Sequence, residues 1–177
     1  MLLALILISF FGTNGPMFYF LYRHRHDRRP SVSHHMAISK ETNLVYALGH
    51  FVGGMAYLYF AYRYFYEDKG ESLLFILSLF GVIAEQIQAF FPNNADYKKV
   101  HTVAAVTMGA FITTILLAAP VLITLKTSWI LAYISLVVIL LGAGVYTLFN
   151  KGKFYRTQMM FFGSFHVFLF ILLYGVK

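Results

Sequence analysis

Six long apolar segments, separated by polar connections, dominate the pattern of hydrophobic and polar positions along the chain. A helix that crosses the apolar core of a bilayer needs about 20 consecutive, mostly apolar residues. The predicted spans are residues 1–22, 43–66, 72–91, 100–125, 128–149 and 157–176. None of them alternates apolar and polar residues as a strand does. The pattern predicts an all-α, polytopic transmembrane helix bundle, a single domain over residues 1–177 with no soluble domain.

The first span is unusual because the segment from Gly12 to Pro16 lies in its middle. Proline removes a backbone donor, and such breaks are tolerated in a membrane where neighbouring helices satisfy the freed groups. No basic residue precedes the apolar run and no small-residue cleavage site follows it. We therefore expect a retained, kinked helix rather than a secretory signal or a re-entrant break.

Composition excludes an ordinary water-soluble protein. Of the 177 residues, 59% are hydrophobic and 12% charged, whereas a soluble domain carries about 25% charged residues. Cysteine is absent, so thiolate metal sites and cysteine nucleophiles are excluded. The net charge of +7 lies in the connections between spans, which indicates membrane orientation and not a nucleic-acid partner.

The lysines and arginines predict that orientation, since they concentrate in cytoplasmic loops. Ten lie on one side of the predicted bundle: Arg23, Arg25, Arg28, Arg29, Lys40, Lys98, Lys99, Lys151, Lys153 and Arg156. Four lie on the other: Arg63, Lys69, Lys126 and Lys177. We expect a multi-pass protein with the loop of residues 23–42 in the cytoplasm and both ends of the chain outside.

Ionisable and amide side chains inside the spans form the candidate site, because such groups are costly in a membrane and mark function by default. The candidate ligand-binding residues are His50, Glu85, Gln88, His101 and His166. At 1.5 Å per residue, all of them fall in the cytoplasmic half of the predicted bundle. Small residues lie on the same helical faces as these polar residues. Because small residues allow helices to approach closely, this indicates that these faces point into the bundle. We expect one buried polar cluster.

Several functions fit such a cluster. The first interpretation is a non-enzymatic protein that binds or handles a lipid-like or amphiphilic ligand, with membrane lipids as partners. A membrane redox or metal enzyme is an alternative, with haem held by two histidines or a metal held by three histidines and Glu85. A small proton- or ion-coupled transporter or channel subunit is another, since histidine titrates near neutral pH. Interhelical packing alone also explains buried polar groups. Gly142 and Gly144 permit a homo-oligomer without requiring one.

The connection after the first span contains two histidine pairs, His24-x-His26 and His34-His35, among arginines. A basic cluster beside a helix end attracts anionic lipids, and histidine pairs bind metals or sense pH. A solvated topology anchor is the favoured interpretation. Motifs for phosphate binding, zinc hydrolysis and serine hydrolysis are absent from the sequence.

One family resemblance extends over residues 30 to 125. Ser33-His34-His35-Met36-Ala37-Ile38-Ser39 precedes the second span, and Phe90-Phe91-Pro92-Asn93 precedes a fourth span that begins Val100-His101-Thr102. This order resembles the DRAM-like (damage-regulated autophagy modulator) superfamily of six-helix membrane proteins and its prokaryotic relatives. The resemblance implies family-typical positions at Ile38, Ser39, Pro92 and His101, and a loose link to lipid or organelle homeostasis. It also implies these loops on the non-cytoplasmic side and an acidic residue where this chain has Lys40. For orientation we follow the charge count.

Overall fold

The computed structural model describes residues 1–23, 31–94, 96–149 and 154–176, and these residues are almost entirely helical. The helices, in chain order, are α1 (Leu2–Arg23), α2 (Val32–Met36), α3 (Lys40–Ala61), the π-helix (Tyr62–Asp68), α4 (Ser72–Phe90), α5 (Lys98–Leu122), α6 (Thr127–Phe149) and α7 (Phe154–Gly175). The described part contains no strand, only an isolated bridge between Leu125 and Val176. The predicted all-α class is confirmed.

Five helical segments are long and apolar enough to cross a membrane: Leu2–Phe20, Lys40–Asp68, Ser72–Phe90, Lys98–Leu122 and Thr157–Gly175. The described apolar stretch of α6, Thr127–Ala143, is shorter than these. The fold therefore bears out five of the six predicted spans by length and composition. The span of residues 128–149, which corresponds to α6, stays a prediction.

The helices pack in the spatial order α5, α4, α3, α1, α7, α6, and α7 also contacts α5. Short connections make α3, α4, α5 and α6 consecutively antiparallel. The α1 helix is antiparallel to α3, since Gly12 meets Gly53 and Pro16 meets Gly49. We call the end formed by residues 31–39, 91–94 and 96–97 the loop end. The end formed by residues 69–71 and 123–126 is the far end. Tyr64 Oη donates to the carbonyl oxygen of Leu172 (2.5 Å) near the far end and ties the π-helix to α7.

Glycines bring α1 and α3 into backbone contact. A Cβ on Gly12 would lie 2.6 Å from Gly53 Cα, and a Cβ on Gly49 would lie 2.6 Å from the Gly12 carbonyl oxygen. Pro16, inside the continuous α1, removes the amide that would otherwise bond that carbonyl. The predicted helix through Gly12–Pro16 is thus confirmed, and the small-residue pair Gly49 and Gly53 receives α1.

Two capping arrangements order the loop end. Ser39 and Thr42 form a reciprocal capping box at the start of α3, and the Ser31 side chain accepts from the His34 amide at the start of α2. His35 Nδ1 donates to the Ser31 carbonyl oxygen (2.9 Å). Because both histidines of the His34-His35 pair bond to Ser31, this pair is part of a helix cap. The other pair, His24 and His26, lies outside the described residues.

Candidate functional site: a buried histidine–glutamate pair

A hydrogen-bonded pair of ionisable side chains joins α3 to α4 inside the bundle. His50 Nδ1 and Glu85 Oε1 form a hydrogen bond of 2.7 Å, in which Nδ1 donates when Glu85 is a carboxylate. His50 is completely buried and Glu85 is 7% exposed. The two residues meet because the α3 stripe of Tyr46, His50 and Tyr57 faces the α4 stripe of Ser78, Glu85 and Gln88. The predicted convergence of His50 and Glu85 is confirmed.

Gly54 makes room for this pair. A Cβ at Gly54 would lie 2.5 Å from Gln86 Nε2 and 3.1 Å from Glu85 Oε2. Gln86 uses the space to donate from Nε2 to the carbonyl oxygen of His50 (3.0 Å). The backbone and the side chain of His50 are therefore both held by α4.

A second layer lies one turn nearer the loop end. Gln88 Nε2 donates to Tyr46 Oη (3.2 Å), and the Tyr46 ring lies against the His50 ring with centroids 4.0 Å apart. Gln88 is therefore linked to His50 indirectly, since it bonds the tyrosine whose ring contacts His50.

A small cavity lies on the other side of Glu85, with largely apolar walls from α4, α5 and α7 and a few polar side chains. Its polar lining consists of Ser9, Thr13, Tyr57, Ser78, Glu85 and His166. Its volume is about 20 Å³, counted as the space in which the centre of a water molecule fits. A single water needs about 10–15 Å³ on this measure, so the cavity has room for one or two waters and for no larger ligand.

His166 faces this cavity from α7 and bonds to α1. Its Nδ1 donates to the Phe162 carbonyl oxygen (2.8 Å), and its Nε2 lies 3.0 Å from Ser9 Oγ. Since a carbonyl can only accept, Nδ1 carries the hydrogen and Nε2 of the neutral ring accepts from the serine hydroxyl. His166 thus joins the predicted cluster across the cavity rather than by direct contact with Glu85.

His101 has a different role from the other candidates. Its Nδ1 donates to the carbonyl oxygens of Gln88 (3.0 Å) and Phe91 (2.8 Å), the last of which follows the end of α4. These carbonyls are among those that a helix leaves without an intrahelical partner. His101 therefore caps α4 at the loop end.

The geometry disfavours the metal and haem alternatives. Within the described ranges, no three histidine, aspartate or glutamate side chains lie close enough to hold a metal ion. The alternative ligand set of three histidines and Glu85 is not brought together, because His101 bonds backbone carbonyls at the end of α4. A porphyrin ring has no room in a cavity that admits one or two waters.

The sequence did not indicate the contribution of α1 to the site. Ser9 and Thr13 lie one turn apart and line the cavity, and Thr13 Oγ1 donates to the Ser9 carbonyl oxygen (2.9 Å). Serine and threonine are inexpensive in a membrane span, so neither attracts notice by its cost. Their spacing beside Gly12 is the signal that could have found them.

Comparisons with family models, with curated proteins and with solved structures give no significant match. The resemblance to the DRAM-like superfamily therefore stays a prediction.

Proposed function

We propose that the chain is a six-span integral membrane protein in which the His50–Glu85 pair binds and releases a proton, as the proton site of a small transporter or channel subunit. The sixth span is α6, and the loop end faces the cytoplasm by the charge count. The observation that carries the proposal is the 2.7 Å contact between two buried ionisable groups beside a water-sized cavity that Ser9, Thr13 and His166 also line.

Energetics favour function over packing for this pair. Removing two charges from water costs several kcal/mol per ion, and replacing a buried ion pair by apolar residues is often neutral or stabilising. A pair retained at this cost inside a span is by default a functional site. The pair can share one proton, as imidazolium with carboxylate or as neutral imidazole with carboxylic acid, so it changes charge when a second proton arrives or the shared one leaves.

The cavity places hydroxyl groups and room for water beside Glu85, on the side of the pair away from the His50 ring. Glu85, Ser9 and His166 border a space with room for one or two waters, and Tyr57 Oη donates to Ser78 Oγ (2.7 Å) along the same face. Hydroxyl groups and waters both donate and accept, so they can pass a proton along.

Proton flux in liposomes tests the proposal. The purified protein is reconstituted around a pH-sensitive dye, and a potassium diffusion potential drives protons inward. We expect acidification with the unchanged chain and its loss in Glu85→Gln, which keeps the shape of the side chain but removes the carboxyl group. Glu71→Gln is the matched control, since this glutamate lies at the far end, where α4 begins. Equal flux in Glu85→Gln and the unchanged chain would overturn the proposal.

Lipid handling is the second candidate function, carried by a groove between α4 and α5 instead of by the polar cluster. The groove measures about 480 Å³, is lined by Phe80, Ile83, Ile87, Val103 and Phe111, and has Lys99 at its loop end. The apolar groove suits an acyl chain, and the Lys99 ammonium at its loop end suits the head group of an anionic phospholipid.

Native mass spectrometry after detergent exchange tests this second candidate. We expect retention of an anionic phospholipid over a zwitterionic one, reduced in Lys99→Ala and unchanged in Lys40→Ala, an exposed lysine at the same end. Retention that does not depend on Lys99 contradicts a specific site.

A further inference from the structure

Unpartnered acceptors collect along the contact between α3 and α4. In the part of the chain that the structure describes, four buried side-chain atoms have no hydrogen-bond partner in the protein: Asn43 Oδ1, His50 Nε2, Gln86 Oε1 and Gln88 Oε1. All four belong to these two helices, although polar residues lie on every span. We call Asn43, Tyr46, His50, Glu85, Gln86 and Gln88 the polar seam.

The seam has an order along the bundle axis. Asn43, Tyr46 and His50 follow one another at spacings of three and four on α3, so they share one face. On the antiparallel α4, Gln88 meets Tyr46 and Glu85 meets His50. Asn43 lies in the first turn of α3 and is partly exposed. The rise from Asn43 to His50 is about 10 Å, so the seam leads from the loop end to the pair.

Water satisfies this set of atoms better than any other small ligand. The glutamine and asparagine oxygens can only accept. His50 Nε2 accepts when Nδ1 of the neutral ring donates to Glu85, and it donates when the ring is protonated or when Nδ1 accepts from a protonated Glu85. Water does both, and buried waters typically bond such otherwise unsatisfied groups. A fixed protein donor would satisfy His50 Nε2 when this atom accepts, and it would face another donor when Nε2 carries a hydrogen.

We infer that bound waters occupy the polar seam and form the route by which a proton passes between the loop end and His50 Nε2. This inference rests on the proposed function. It adds the end of the bundle with which the pair exchanges protons, namely the loop end, which is reached through the polar seam. Gln88, 2% exposed, is a positioning residue that holds the waters beside Tyr46.

Radiolytic hydroxyl-radical footprinting tests the waters without reference to function, because radicals generated from bound water label the adjacent side chains. Tyr46 is 1% exposed and Tyr64 is 3% exposed, so bulk solvent labels neither. We expect Tyr46 to be labelled and Tyr64, which bonds Leu172 at the far end, to stay unlabelled. Equal labelling of the two tyrosines overturns the inference.

Proton-uptake rates test the route. In Gln88→Leu, we expect initial uptake to slow by about tenfold, the factor that corresponds to one hydrogen bond lost from the route. The final extent should not change, since Glu85 is intact. Asn43→Leu, at a partly exposed position that tolerates the change, should slow uptake in the same way if Gln88→Leu does not fold. Thr114→Val is the control, because this exposed threonine bonds only within α5.

The outcomes separate the two proposals. If Glu85→Gln removes uptake but both leucine variants keep the normal rate, the route is wrong and the proton site stands. If Glu85→Gln leaves uptake unchanged, the proposed function fails, and labelled Tyr46 would then show a hydrated seam without a proton role.

Discussion

The contact between α1 and α3 makes a sharp prediction about stability. A methyl group added in Gly12→Ala would meet Gly53 Cα and N at 2.6 Å and the Gly49 carbonyl oxygen at 2.8 Å. These distances fall up to about 0.8 Å short of the 3.4 Å at which ordinary contact begins. All three partners are backbone atoms, which cannot rotate away, so the two helices must separate.

The magnitude follows from two opposing terms. Overpacking costs about 1–3 kcal/mol, and rigid backbone partners place this site near about 3 kcal/mol. Alanine regains about 1 kcal/mol of helix propensity over glycine. We expect a net loss of about 2 kcal/mol for Gly12→Ala. Gly15→Ala is the matched control, since a Cβ there meets nothing within 4 Å, and it should be neutral or stabilising by up to about 1 kcal/mol.

Unfolding by sodium dodecyl sulfate in mixed micelles, followed by circular dichroism, measures both variants against the unchanged chain. Gly12→Ala should unfold at lower detergent fraction and Gly15→Ala at an equal or higher one. If the two variants are equally stable, α1 does not pack on α3 through Gly12.

Two further predictions concern single histidines. His101→Ala removes the donor for two carbonyls at the end of α4 and should destabilise the protein by about 1–3 kcal/mol without changing the extent of proton uptake; loss of uptake with intact folding would place His101 in the site. For Ser9→Ala and His166→Ala, a double-mutant cycle in the same unfolding assay should give a coupling of about 0.6 kcal/mol, the average for hydrogen bonds between membrane helices. A coupling of zero would show that Ser9 Oγ and His166 Nε2 do not bond.

Much of the fold could be predicted from span length and hydropathy. Each predicted span agrees with its helix to within three residues at either end, except that the span of residues 43–66 runs five residues past the end of α3 into the π-helix. The agreement is close because apolar length is a direct physical requirement of a bilayer. The short α2 and the π-helix were not predicted. Both depend on local hydrogen bonds, such as that from the His34 amide to Ser31 Oγ, which leave no periodic signal.

The part of the candidate site made of ionisable side chains could be predicted, because such side chains have a high free-energy cost inside a membrane span. His50 and Glu85 are expensive in a membrane, and their helical faces indicated that they would meet. His101 is equally conspicuous in sequence but bonds the end of α4, because position along a helix does not say whether the nearest partner is a side chain or a carbonyl. Ser9 was missed for the opposite reason, since a serine in a span costs little and its partner His166 is distant in sequence.

Infrared difference spectroscopy of the protein in lipid, recorded as the pH is changed, detects proton exchange at the His50–Glu85 pair itself. We expect a carbonyl-stretch band of a buried carboxylic acid that appears on acidification together with a change in the imidazole bands. The carboxylic-acid band should vanish in Glu85→Gln and persist in Glu71→Gln. A spectrum in which Glu85→Gln removes no pH-dependent band would show that the His50–Glu85 pair does not exchange protons and would contradict the account.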